Sequence, residues 1–245
     1  MSRIPGRHMG IDENITGKPG RAERQSEIIL NEVEAKRLLK DAGIPVIEAR
    51  LAGTKREAIS ISKEIGFPVA LKVISPDIIH KSDAGGVKLG LENAARVGGA
   101  YSEMMTSIKK KMPGVKIDGV SVQKMAAPGV ELIIGMSKDP QFGPVIMFGL
   151  GGILVEVLKD VSFRLVPLSN LDAAEMVREV KGYALLQGYR GQKPVDISRL
   201  EDLIVQVSDF IEQNPRIKEL DLNPLIADGE NIVAADARII MEASP

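Results

Sequence analysis

The 245-residue chain has no cysteine and no tryptophan, two histidines, and only 3% aromatic residues. Lack of cysteine excludes disulfides, thiolate metal sites and a cysteine nucleophile. So few aromatic rings disfavour the stacking platforms that hold single-stranded nucleic acid. The formal net charge is −1, which gives no basic excess to draw the chain to nucleic acid or to an anionic membrane surface. Apolar runs stop short of the ~18 residues of a membrane span, and no charged-then-apolar leader opens the chain. The expectation is a cytoplasmic protein. What remains is ordinary for a globular protein, 44% hydrophobic and 27% charged, with length for one large domain or two lobes.

One stretch stands out, residues 72–87. Lys72 interrupts the apolar run 69–74, and a lysine there is unfavourable to bury unless an anion meets it. A polar loop follows, with His80, Lys81, Ser82 and Asp83, and closes on Gly85-Gly86 before a second strand-like run, 87–91. Lysines supply point charges, and glycines let backbone N–H groups approach an anion, so the stretch reads as a phosphate-binding hairpin. His80 has apolar Ile78-Ile79 before it and charged neighbours after it. An imidazole with one free ring nitrogen is a nucleophile that can carry a phosphoryl group. The other histidine, His8, lies in a polar, glycine-rich segment, residues 1–26, that reads as a flexible tail.

Element signals punctuate the rest. Asn31 with Glu34 and Thr54 with Glu57 are capping patterns, and Gly43 and Gly66 mark the corresponding helix ends. The spacing predicts strands over 46–51 and 69–74, a helix over 94–111 stopped by Met112-Pro113-Gly114, and a strand over 119–125. Helix and strand alternate, which argues an α/β lobe ending near the Pro128-Gly129 break. Beyond it come a hairpin of 130–136 with 144–148, strands over 155–158 and 161–168, helices over 172–180 and 197–212, and a strand pair, 217–222 and 232–235, turned at Asp228-Gly229.

Several polar residues sit where chemistry is plausible. Asp221 and Asn223 are two apart, so on a strand they share a face, and Asp236 ends the neighbouring strand. Such oxygen donors suit magnesium, which one or two carboxylates hold together with substrate phosphates. The same residues also serve as turn formers at strand ends. Glu131 and Glu156 are carboxylates inside apolar runs, suited to a ligand or to the solvent side of a one-sided strand. Arg164, likewise in an apolar strand, has a planar fork that fits a phosphate or a carboxylate. The Gly149-Leu150-Gly151-Gly152 run is either a tight turn or a close backbone approach. Neither a Walker-A nor a Rossmann fingerprint occurs.

Three long motifs then point to one family: Ser75-Pro76-Asp77-Ile78-Ile79-His80-Lys81-Ser82-Asp83-Ala84-Gly85-Gly86-Val87, the run from Asp139 through Phe148 to Gly152, and Glu219-Leu220-Asp221-Leu222-Asn223-Pro224-Leu225. From about Asn31 to the C-terminus the chain resembles the ATP-grasp β subunit of ADP-forming acyl-CoA (acetyl-CoA) synthetases, relatives of succinyl-CoA synthetase. The resemblance implies an α/β (α+β) ATP-grasp fold with nucleotide between two lobes, residues 27–128 carrying the loop 75–86 and residues 129–245 carrying the magnesium site. It implies ATP or ADP and Mg2+ as cofactors, His80 as a phosphohistidine, and Lys72 on the nucleotide phosphates, with Lys81, Gly85 and Gly86 in the same loop. It further implies Gln123, Lys124 and Met125 beside the adenine, Glu131 in the nucleotide site, and Asp221, Asn223 and Asp236 around magnesium. Arg164 as a phosphate contact is a separate inference. The implied partner is a CoA-binding α subunit in an α2β2 assembly, with no nucleic acid or membrane involved. A stand-alone ATP-grasp ligase and a nucleotide-sensing module are the alternatives.

Overall fold

The computed structural model describes residues 23–24, 27–78, 81–152, 159–188, 193–229 and 231–243. His80, Glu156 and the strand expected over 155–158 lie outside them. Two antiparallel sheets organise the molecule. The smaller has four strands, β3 (Ala49–Ala52), β4 (Val69–Ile74), β5 (Val87–Leu91) and β6 (Gly119–Lys124), in the order β3-β6-β4-β5. The larger has eight: β1 (Glu23–Arg24), β2 (Glu27–Leu30), β7 (Val130–Asp139), β8 (Gly143–Leu150), β9 (Val161–Leu165), β10 (Ile217–Asp228), β11 (Asn231–Ala234) and β12 (Arg238–Glu242). Their order is β1-β2-β12-β10-β7-β8-β9, with β11 also paired to β10.

Caps set the helices where the sequence places them. Asn31 Oδ1 accepts from the Val33 and Glu34 amides at 3.0 Å each, and Glu34 accepts back from the Asn31 amide, starting α1 (Glu32–Asp41). Thr54 and Glu57 do the same for α2 (Lys55–Ile65). Helix α3 spans the expected Ala94–Lys111. In the second half α4 (Asn170–Glu179), a single turn α5 (Tyr183–Leu186) and α6 (Ile197–Gln213) complete the set. Among the described residues no helix is long and apolar enough to cross a membrane.

Each sheet buries one face under helices. In the smaller sheet Val69, Leu71 and Val73 of β4 alternate inward with Val120 and Val122 of β6, against Ala58 and Ile61 of α2 and Val97, Met104 and Ile108 of α3. In the larger, Leu132, Ile134 and Met136 of β7 and Ile146, Phe148 and Leu150 of β8 pack under α4 and α6, with Ala35 and Leu39 of α1 in the same core.

Two features differ from the sequence expectation. Segment 27–41, expected with the first lobe, joins the larger sheet and its core: β2 pairs with β12, Ile240 opposite Ile29. Strand β10 continues past residue 222 to Asp228, with a register shift against β7 between Leu222 and Leu225. The ladders of the small sheet are all antiparallel, because α2 and α3 each join two strands that run the same way with an oppositely directed strand between them.

Candidate functional site

The second face of the small sheet is buried too, but it is polar. Lys72 stands on β4 opposite Ser121 of β6, and Gln123 lies two residues further along the same face. Strand alternation that sends Leu71 and Val73 into the apolar core must send Lys72 the other way. There it meets α1. The cap at Asn31 makes Glu32 the first helical residue and places Lys36 one turn later, beside it. Glu32 and Lys36 are 3% and 2% exposed, Lys72 only 6%.

These groups form one network. Glu32 Oε1 accepts from Lys72 at 2.8 Å and is paired with Lys36 at 3.0 Å, while Oε2 accepts from Lys81 at 3.2 Å and from the Ser121 hydroxyl at 3.0 Å. Four donors match the lone-pair capacity of a carboxylate. Lys72 also reaches the Ala235 carbonyl at 2.8 Å and Asp236 at 3.2 Å; Lys81 reaches Asp236 at 3.5 Å. Lys36 and Gln123 converge on the same Ala235 carbonyl at 2.8 and 3.1 Å. One backbone oxygen of the larger unit thus takes three donors from α1 and the small sheet.

The electrostatics follow from that packing. Burial pushes the Glu32 carboxyl up, but the Lys72, Lys36 and Lys81 ammoniums outweigh it and hold the group well below the ordinary range. For Lys36 burial wins, and its proton affinity is lowered despite Glu32. For Lys81 the burial effect is outweighed by Glu32 and Asp236, which raise it. Asp221 is pushed up to about 6, first by burial, with Asp236 and Glu219 adding to the shift and Arg238 opposing it.

A cavity of about 470 Å³ opens beside this network, within the usual range for small-ligand sites. Its wall includes Glu32, Lys81, Ser82, Asp83, Asp221, Asn223, Asp236 and Arg238. Lys81, Asp221, Asn223 and Asp236, singled out from the sequence, are therefore gathered in one place, and Lys72 is paired with Asp236 from behind. Among the described residues no group of three His, Cys, Asp or Glu is gathered as a self-sufficient metal cage. Two carboxylates and an amide suit magnesium that keeps water and phosphate ligands. The raised proton affinity of Asp221 marks a carboxylate that a cation would relieve.

Other expected site residues lie elsewhere. Arg164 sits on β9 and forks across Glu179 and Glu175, donating to them at 3.0 and 3.3 Å, and it is not among the residues lining this cavity. The Gly85-Gly86 pair serves the loop itself, since the Gly85 amide donates to the Ser82 carbonyl and the Gly86 amide to that of Lys81. A Cβ on Gly86 would stand 2.3 Å from Val73, so close packing explains the glycine and its N–H is not free for an anion. Lys124 is exposed and donates to the Gly66 and Phe67 carbonyls, and Met125 Sδ accepts from the Gly90 amide. Glu131 lies on β7 against Gly151, whose amide donates to its carbonyl at 2.7 Å. Glu32 and Lys36 escaped sequence reading. Their signal was an i, i+4 acid–base pair, which usually marks a solvent face.

A cleft between the two sheets, with Lys72 of β4 and Lys81 of the following loop meeting carboxylates from the other side, fits an ATP-grasp architecture, and the ATP-grasp domain family model matches residues 21–241. Acetate–CoA ligase [ADP-forming] I subunit beta of Pyrococcus furiosus is 49% identical over 212 residues, 86% of this chain and 91% of that protein. Acetate–CoA ligase [ADP-forming] I of Archaeoglobus fulgidus is 46% identical over 89% of this chain, which spans 33% of its length. A solved acetyl-coenzyme A synthetase 1 of Ca. Korarchaeum cryptofilum, with coenzyme A and Mg-AMPPCP and its phosphohistidine segment pointing towards the nucleotide binding site, matches at TM-score 0.76 and 48% identity, covering 89% of this chain and 93% of that one. The chain belongs to the ATP-grasp family and, within it, to the β subunits of the ADP-forming acetate–CoA ligases.

Proposed function

We propose that this chain is the nucleotide-binding subunit of an ADP-forming acyl-CoA ligase, acyl-CoA + ADP + phosphate giving acid + CoA + ATP, and that it passes the phosphoryl group between His80 and ADP. The observation that carries the reading is the gathering of Lys81, Asp221, Asn223 and Asp236 at one cavity, with Lys72 paired to Asp236 behind it and Ser82 and Asp83, just after His80 in the chain, also in its wall.

The chemistry needs little covalent participation from the protein. A terminal oxygen of ADP bonds to the phosphorus as the nitrogen–phosphorus bond breaks, and that electron pair returns to the imidazole ring. Lys72 and Lys81 place positive charge where the equatorial oxygens spread negative charge. Asp221, Asn223 and Asp236 would hold Mg2+, which when bound neutralises phosphate charge. Glu131 and the 123–125 segment would contact the nucleoside end, Gln123 through the network it shares with Lys36.

The partner belongs to the same proposal. The Archaeoglobus relative is about three times the length of the matched region, which supports a CoA-binding α subunit supplying the rest of the machinery here, in an α2β2 assembly working in the cytoplasm on free nucleotides. The test is intact-mass analysis after incubation with Mg-ATP, with and without α. The expected result is one phosphoryl group, acid-labile and base-stable, absent from His80→Ala. An unlabelled wild-type chain in the presence of α would overturn the reading.

A further inference from the structure

We infer that Glu32 is a positioning residue that keeps Lys72 and Lys81 seated so that Asp236 is left for the metal–nucleotide. The inference rests on the reading of the cavity given above. Its ground is a sharing problem visible in the geometry. Lys72 and Lys81 each have two carboxylate partners, Glu32 and Asp236. Both acidic residues belong to the cavity wall, but the Asp236 side chain is 26% exposed whereas the Glu32 side chain has no solvent exposure. A carboxylate cannot face two ammoniums and a bound cation at full strength at once, because like charges then crowd the same oxygens.

Glu32 removes the conflict. Both its oxygens are filled by four fixed donors, Lys72, Lys36, Lys81 and Ser121, and it is anchored by the Asn31 cap at the positive end of α1. When Asp236 turns to a cation, Glu32 still holds both lysines beside the phosphates without reaching the cation itself. The Ala235 carbonyl supports Lys72 from the other side at 2.8 Å. Glu32 therefore acts through Lys72, Lys81 and Asp236 and need not touch the substrate.

The sign of two substitutions separates this role from a merely structural one. Mg2+ is titrated into the full-length chain at saturating ADP, and the half-saturating concentration is read by calorimetry and by the shift in melting temperature. Glu32→Gln throws both lysines onto Asp236, so the Mg2+ requirement rises, by about five- to tenfold for coupling of the usual size between contacting groups. Lys81→Met takes one ammonium off Asp236, so the requirement falls, by roughly twofold or more. The double variant returns toward the wild-type value. Loss of fold alone would raise the requirement in both single variants.

An unchanged requirement in a folded Glu32→Gln protein, or an unchanged or higher one in Lys81→Met, overturns the inference. If Glu32→Gln does not fold, Lys81→Met decides alone, because Lys81 lies at the cavity rim with 22% exposure and leaves the other three donors in place. A wild-type chain that binds ADP with no dependence on Mg2+ would instead overturn the reading of the cavity on which the inference rests.

Discussion

Lys72 and Arg164 begin as equals. Each is a cation in an apolar strand, and each ends between two carboxylates, Glu32 and Asp236 for one, Glu175 and Glu179 for the other. Their surroundings differ. Glu32 is wholly buried, whereas Glu175 and Glu179 are about half exposed. Water and salt screen the second cluster, so its net contribution is small. In the first, desolvation is large and every donor must be matched, so removing one member leaves charge uncompensated. The same composition therefore gives a surface decoration at β9 and a built site at β4.

Substitutions can break that contrast. The largest effect is expected for Glu32→Leu, which leaves Lys36 without its carboxylate partner and Lys72 and Lys81 with Asp236 alone, and should lower the unfolding free energy by about 3–5 kcal/mol in urea denaturation. A loss below 1 kcal/mol would mean the first cluster is as well solvated as the second. Next, Lys72→Met should weaken Mg-ADP binding by about tenfold or more, the equivalent of ~1.4 kcal/mol, in a calorimetric titration; unchanged affinity would remove Lys72 from the phosphate site.

Asp221 sharpens the comparison through pH. Its proton affinity is raised in the folded chain to about 6, so its contribution is fully present below the ordinary aspartate range and is lost as pH rises through 6. Asp221→Asn should therefore be more stable than the wild-type by about 1–2 kcal/mol at pH 7, with the gap closing near pH 4. Glu32 runs the opposite way: its depressed proton affinity gives stability that is present above the ordinary glutamate range and lost as pH falls below it. The smallest effect belongs to Arg164→Ala, at about 0–1 kcal/mol, with Mg-ADP affinity unchanged.

Much of this was legible from residues alone, where the signal is local. The caps at Asn31 and Thr54, the helix over 94–111 and the Asp228-Gly229 turn each depend on a few adjacent side chains and appear as expected. Asp221, Asn223 and Asp236 converge because a strand pair and its turn fix their spacing. Strands β2 and β12 were missed because each is a short apolar run whose role shows only once the two pair. Glu32 was missed for a related reason. An acidic residue in a first helical turn is favourable on its own, and its decisive partner, Lys72, lies 40 residues away. Arg164 and Lys72 looked alike because burial is not written next to the residue that suffers it.

The Ala235 carbonyl carries one further consequence. It receives Lys36, Lys72 and Gln123 and immediately precedes Asp236, so the grip between the two halves of the molecule passes through an atom that every amino acid possesses. A survey of side-chain replacements would pass over position 235 as unremarkable while its oxygen acts as a rivet. Only chemistry on the main chain, such as an ester in place of the 235–236 amide, which makes that oxygen a poorer acceptor, would loosen it and leave the side chains as they are.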